Sequence, residues 1–241
     1  MTTLNKTSKK YGFTLHVWGD YALFTRPELK VERTSYDVIT PSAARGIFEA
    51  IYWKPEIKWI IKRIHVLKPI IFQSIRRNEV GDIVAAGTIK KAKENNQLNL
   101  LRININESRQ QRASSILVDP AYVLEAYFEM HGKEKTNDNN EAKHSEMFKR
   151  RARKGQCFHQ PCLGTREFAA HFSLIESKDK FPKRKIEDQT NELGFGSPRD
   201  LGFMLWDLDY KNSDKVPLLF RATLSNGIID VPLPGSTEIK K

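Results

Sequence analysis

The order of its hydrophobic periodicities restricts this chain more than any other feature. Phe13-Thr14-Leu15-His16-Val17-Trp18 alternates apolar with polar residues, the pattern of a half-buried strand, and Gly19-Asp20 ends it. The period then changes. Thr40-Pro41 opens a helix, with the threonine as its cap and the proline at the first helical position, where a missing N–H costs nothing. Ala44, Ile47, Phe48 and Ile51 recur at helical spacing until Pro55 stops the run. Residues 57–66 and 121–130 return to strand character. A strand, a helix, a strand and then mostly strands predict an α+β fold.

The remaining segments are less regular. Residues 21–38 mix aromatic and basic side chains around Pro27 and read as a structured loop. Residues 76–97 predict a long loop with short elements, and residues 98–105 a strand, with Arg102, Arg109 and Arg112 alongside. Residues 132–142, which include Asn137-Asp138-Asn139-Asn140, form a loop by composition. A basic helix is predicted over 143–154, ending at Gly155, and a strand over 167–174. The charged stretch 177–200, with Pro182, Gly194, Gly196 and Pro198, reads as a mobile loop or insertion. Residues 202–208 and 217–231 predict closing strands, and Asn226-Gly227 predicts a hairpin turn whose two central residues need positive φ.

With 241 residues, the chain can bury one sizeable core and carry a small appended subdomain. No run approaches the roughly 20 apolar residues that cross a bilayer. No apolar segment follows Lys9 and Lys10, so neither a membrane nor a secretory reading applies, and the cytoplasm is the expected compartment. Cys157 and Cys162 are the only cysteines, too few for a disulfide scaffold. The net charge of +11 points to a polyanionic partner, because each neutralised phosphate releases condensed counterions. A basic surface with no dedicated partner would carry the same charge. Charge therefore narrows the partner and leaves the chemistry open.

Four segments occur in order across most of the chain: Gly19-Asp20-Tyr21-Ala22-Leu23-Phe24-Thr25, Ala50-Ile51-Tyr52-Trp53-Lys54-Pro55, the Lys143-His144 pair, and Leu163-Gly164-Thr165-Arg166-Glu167. Together they resemble the CRISPR-associated Cas-five family, subtype d, of the type I-C (Dvulg) system. The resemblance implies a ferredoxin-like domain of the RRM and RAMP type over residues 11–175. Over residues 176–241 it implies a flexible loop and a small antiparallel β extension. The implied activity is that of an endoribonuclease that cuts CRISPR repeat RNA (pre-crRNA) at the 3′ base of its hairpin. The product crRNA is then held by its 5′ handle beside other type I-C effector subunits. In that family a tyrosine of the IYW segment and an adjacent Lys-His pair carry the activity, and Tyr52, Lys143 and His144 occupy those positions. No metal and no cofactor are implied. The segment from Gly155 to Glu167 departs from a glycine- and arginine-rich version of this loop in some family members, which bears on loop geometry and RNA register.

The residue chemistry agrees with this reading. RNA can be cut without a metal because its own 2′-hydroxyl attacks the neighbouring phosphorus, leaving a 2′,3′-cyclic phosphate and a 5′-hydroxyl. The enzyme must remove one proton, return one to the 5′-oxygen and stabilise negative charge. A histidine such as His144, titrating near about 6.5, suits either proton transfer, and Lys143 supplies a fixed positive charge. Tyr52, with a phenol pKa of about 10, suits positioning better than deprotonation. Plainer readings exist for each. An aromatic ending a helical stripe usually belongs to the core, a histidine beside a polar loop usually faces solvent, and Lys143 alone resembles any lysine.

Lys149, Arg150, Arg151, Arg153 and Lys154 put five positive charges into six residues, more than solubility needs. They read as a phosphate-binding surface, with Arg166 beside them. Phe24, Tyr36 and Trp53 are candidates to stack on unpaired bases, with burial in the core the expected fate of Trp53. Duplex DNA is the alternative polyanion. Cys157, His159 and Cys162, with His144 or His171, supply zinc-type ligands, but their spacing matches neither usual zinc pattern. Asp207 and Asp209 lack neighbouring carboxylate or histidine partners in sequence, so no two-metal nuclease centre is expected.

Overall fold

A computed structural model describes residues 11–29, 31–131, 140–177, 180–210 and 215–241. In chain order its elements are β1 (Gly12–Trp18), β2 (Tyr21–Ala22), β3 (Arg33–Thr34), α1 (Pro41–Ile51), β4 (Ile57–Val66), β5 (Phe72–Val80), α2 (Ala86–Glu94), α3 (Ile105–Ser108), β6 (Arg109–Val118), β7 (Ala121–Met130), α4 (Glu141–Arg153), β8 (His171–Ile175), β9 (Arg199–Asp209), β10 (Val216–Leu224) and β11 (Ile228–Asp230). Short 3₁₀ turns lie between several of them. This is a mixed fold of antiparallel sheets with few helices, in line with the α+β expectation.

The main sheet has five strands in the order β11-β4-β7-β1-β8, each neighbouring pair antiparallel. Alternation in β1 sends Phe13, Leu15 and Val17 to a buried face and Thr14, His16 and Trp18 to the other. α1 starts as its sequence dictates: the Thr40 side chain accepts from the Ala43 N–H, and Ala44, Ile47, Phe48 and Ile51 turn inward. α1 and α4 meet over the buried face of the sheet. The rings of Phe48 and Phe148 stack at 5.6 Å, and Trp59 of β4 lies 5.0 and 4.7 Å from them. Phe13 and Phe128 close this aromatic cluster from β1 and β7.

Asn226 and Gly227 have φ of 49° and 70°, as the predicted turn requires, and the turn delivers β11 to the free edge of β4. The predicted strands at 57–66 and 121–130 form with those bounds.

Two expectations fail. Residues 76–97 are not a long loop, and 98–105 are not a strand. Instead β5 pairs with β6 along Phe72–Val80, α2 follows, and Leu98–Leu101 makes a 3₁₀ turn. The reason is physical. β5 half-buries only one face, and that face carries Ile75, Arg77 and Glu79, so there is no apolar alternation to read; Leu98 is 73% exposed. The stretch at 177–200 also carries fixed contacts: Arg184 donates to the carbonyls of Val66, Asn226 and Gly227, and Leu193 is buried. The predicted loop around Asn137-Asp138-Asn139 lies outside the described residues.

Candidate active site

α1 ends because Tyr52 turns extended, at φ −154° and ψ 117°. Trp59 donates from Nε1 to the Tyr52 carbonyl at 2.8 Å and fixes the exit. α4 begins where the Asn140 side chain accepts from the Lys143 N–H at 2.9 Å, so Lys143 and His144 occupy its first turn. The core packing of Phe48 against Phe148 then brings the end of one helix to the start of the other. Tyr52 Oη and His144 Nδ1 lie 2.8 Å apart, joining residues 92 positions apart in sequence. Both rings are enclosed, at 3% and 5% exposure, with Phe128 edge-on to His144 at 6.2 Å. The two neighbours on α4 face opposite ways: Lys143 is exposed, and His144 is buried within the pair.

The electrostatics are those of a site with little water. Burial lowers the His144 pKa below its ordinary value; Glu56 opposes this, and Lys143 and Lys54 reinforce it. Burial raises the Tyr52 pKa, with Arg151 opposing and Glu56 adding. At neutral pH the pair is therefore a neutral imidazole beside an intact phenol. Glu56 itself keeps one carboxylate oxygen, Oε2, buried without a hydrogen-bond partner. Its carbonyl accepts from the His131 N–H. Nothing in the sequence pattern singled out Glu56.

The five cations predicted as a phosphate surface separate into different roles. Arg150 and Lys154 are exposed. Lys149 pairs with Glu146 at 3.1 Å, and Arg153 makes a two-pronged contact with Glu176, the closest distance being 2.6 Å. Arg151 turns inward, donating to the Ile51 carbonyl at 3.0 Å. Arg166 is exposed, at the mouth of an open groove of about 600 Å³ between α1 and the 159–166 segment.

The stacking expectations need correcting. Phe24 and Tyr36 are 3% and 2% exposed, enclosed with Val38 and Tyr122 in the core, and so present no ring face to a base. Trp53, assigned to the core, is 54% exposed, because the chain turns outward after Tyr52. Phe158, which the sequence did not single out, is 75% exposed near this end of α1, its ring edge-on to His159 at 4.4 Å and its N–H bonded to the Ala50 carbonyl. Cys157, His159 and Cys162 do not converge: among the described residues no three His, Cys, Asp or Glu side chains gather as a metal site would require. Asp207 and Asp209 are each paired with a cation, Arg45 at 2.9 Å and Lys241 at 3.0 Å.

Two of the recognised segments pack directly on each other. Leu23 donates its N–H to the Leu163 carbonyl at 3.0 Å. Gly164 has φ of +91°, and a Cβ there would lie 2.0 Å from the Leu23 carbonyl oxygen. Gly19 is similarly crowded by Leu163 and the Ala169 carbonyl. These glycines permit the close approach of two loops that wall the end of α1.

This fold is shared with CRISPR-associated proteins: a solved structure described as a CRISPR-associated protein superposes with a TM-score of 0.63 at 22% identity, covering 97% of this chain and 100% of that one. The relation in sequence is closer. The model of the family described as CRISPR-associated protein (Cas_Cas5), subtype Cas5d, matches residues 12–232. A protein of Mannheimia succiniciproducens named CRISPR pre-crRNA endoribonuclease Cas5d is 53% identical over 94% of this chain and 97% of its own length. One of Thermus thermophilus with the same name is 38% identical, over 92% of each. The chain belongs to the Cas5d family of CRISPR-associated proteins.

Proposed function

We propose that this chain is an endoribonuclease that cuts CRISPR repeat RNA, the activity named for its two relatives. The observation that carries the reading is the 2.8 Å contact of Tyr52 with His144, in a chain 53% identical to a pre-crRNA endoribonuclease. A neutral His144 donating from Nδ1 to the Tyr52 oxygen carries no proton on Nε2, as a base for the 2′-hydroxyl requires. The oxygen then attacks phosphorus, the 5′-oxygen leaves, and the proton held on the imidazole passes to it. Lys143 and the positive end of the α4 dipole face the negative charge that grows on the phosphate. This route uses no metal and ends in a 2′,3′-cyclic phosphate and a 5′-hydroxyl.

The strand order β4-β7-β1-β8, with α1 after β1 and α4 after β7, supports reading residues 11–175 as a ferredoxin-like domain. Residues 176–241 are then its loop and β extension. After cutting, the chain keeps the crRNA 5′ handle in a cytoplasmic effector complex with other type I-C subunits, with Arg150, Lys154 and Arg166 as exposed phosphate contacts. The enclosure of both reactive rings also suits a second reading, a non-catalytic subunit that caps crRNA, with duplex DNA as a further ligand. Incubation with repeat RNA of its own locus in excess EDTA separates them. The expected result is one cut by the wild type, lost by about 10²–10⁴-fold in His144→Ala at unchanged affinity. Tight binding without a cut, or equal affinity for duplex DNA, supports the second reading.

A further inference from the structure

Arg151 sits in the middle of the basic run of α4, yet it does not face outward with Arg150 and Lys154. Its place follows from helical spacing: His144, Phe148 and Arg151 are separated by four and three residues and so share one face. That face looks at the end of α1. The Arg151 Nη1 donates to the Ile51 carbonyl at 3.0 Å, and the guanidinium carbon stands 5.3 Å from the centre of the Tyr52 ring. The Ile51 carbonyl is among the last of α1, a group no helical N–H reaches. One side chain therefore closes the helix end and covers the phenol that follows it.

We propose that Arg151 is a positioning residue of the Tyr52–His144 pair and does not contact the RNA backbone; this rests on the ribonuclease reading above. One N–H, from Nη1, holds the backbone at Ile51 while the guanidinium lies over the Tyr52 ring, which in turn holds His144 Nδ1. The charged and titratable groups around that phenol are Arg151 and His144 from α4 and Glu56 from the segment before β4, with Lys54 and Lys143 acting on His144. A lysine cannot replace this arrangement, because a compact ammonium cannot reach the Ile51 carbonyl and at the same time spread over the Tyr52 ring as the planar guanidinium does.

The test measures single-turnover cleavage and the salt dependence of RNA binding for Arg151→Lys and Arg151→Met, each alone and combined with Tyr52→Phe. Both single variants should bind repeat RNA with the wild-type salt slope and cut about a hundredfold more slowly. In the Tyr52→Phe background Arg151→Met should cost less than about a further twofold, because the arginine acts through the tyrosine. Wild-type cutting by either variant overturns the proposal. So does a salt slope reduced by about one, which marks a lost phosphate contact, or full rescue by lysine. Should the wild type not cut at all, the ribonuclease reading falls instead. The histidine NMR signals then decide for Arg151: an unshifted His144 titration in a folded Arg151→Met overturns it.

Discussion

The helix layer and the β5–β6 arm are built by different means within one chain. In the helix layer Phe48, Phe148, Trp59, Phe13 and Phe128 pack ring on ring, with Phe48 and Phe148 fully enclosed. The Tyr52–His144 pair rests on that cluster through Phe128. In the arm, nine residue pairs from Phe72–Leu117 to Val80–Arg109 make a long ladder with neither face of β5 enclosed. β6 is fixed to the body by its pairing with β2 and β3 and by buried Ile116 and Leu117. β5, at the far side of the ladder, reaches the body through ion pairs: Arg33 meets Glu79 at 3.2 Å, and Arg77 meets Glu167. Dense apolar packing holds side chains in single rotamers, which proton transfer requires. A ladder with exposed faces opens at low free energy and can adjust to what it touches. The chain has its reactive groups on the first kind of structure and its most open surface on the second.

The largest test of this contrast is a pair of truncations. Phe148→Ala should cost about 3–5 kcal/mol in denaturant unfolding, because it removes a ring that touches Phe13, Phe48 and Trp59. Ile75→Ala, on the arm, should cost about 1 kcal/mol or less. Similar losses at the two sites would mean that the arm belongs to the same cooperative core and would break the distinction.

Glycines sharpen it further. Gly164→Ala forces a Cβ into the Leu23 carbonyl at a backbone angle that disfavours any side chain, and about 1–3 kcal/mol of stability should be lost. Gly87→Ala in α2 meets open space and an ordinary helical backbone, so a gain of about 0.4–1 kcal/mol is expected. Thermal unfolding of the two variants side by side gives the sign of each. A destabilised Gly87→Ala would show that the arm is packed more tightly than its exposure indicates.

The same contrast explains what the sequence made legible. α1, β4 and β7 could be read because burial imposes a period on their residues, and Thr40 and Asn226-Gly227 carry their own local geometry. β5 half-buries Ile75, Arg77 and Glu79, two of them charged, so no apolar period marks it. The aromatic residues between strands were misjudged in both directions: Phe24 and Tyr36 went into the core and Trp53 came out, since composition does not say which way a loop residue turns. The Tyr52–His144 contact spans 92 residues, and only family resemblance joined the two. Arg151 looked like one cation among five. Its spacing from His144 and Phe148 was nevertheless a readable sign that it shares their inward face. Glu56 offered no sign, because its effect on His144 arises only once the fold brings α4 beside it.

Protonation provides the finest test, because the arm contains no histidine whereas the main sheet and helix layer contain His16 and His144. Burial lowers the pKa of both, with Lys68 adding to the effect at His16, and Lys143 and Lys54 at His144, where Glu56 opposes it. In the unfolded chain each takes up its proton near pH 6.5, and in the folded protein only at lower pH. Between those values the unfolded state binds more protons, so stability is complete above about pH 6.5 and falls as the pH drops through this window. The slope cannot exceed about 1.4 kcal/mol per pH unit for each group. Carboxylates held low by partners, such as Glu125 by His65, lose their contribution only below the usual carboxylate range. Melting temperatures of the wild type, His16→Ala and His144→Ala between pH 7.5 and about 5.5 separate the two shares, and each variant should flatten the slope. Amide exchange in β5 and β6, corrected for intrinsic rates, should not follow that slope if the arm opens locally. Exchange there that tracks the histidines would mean the arm opens only when the body does, and the two regions would be one folding unit.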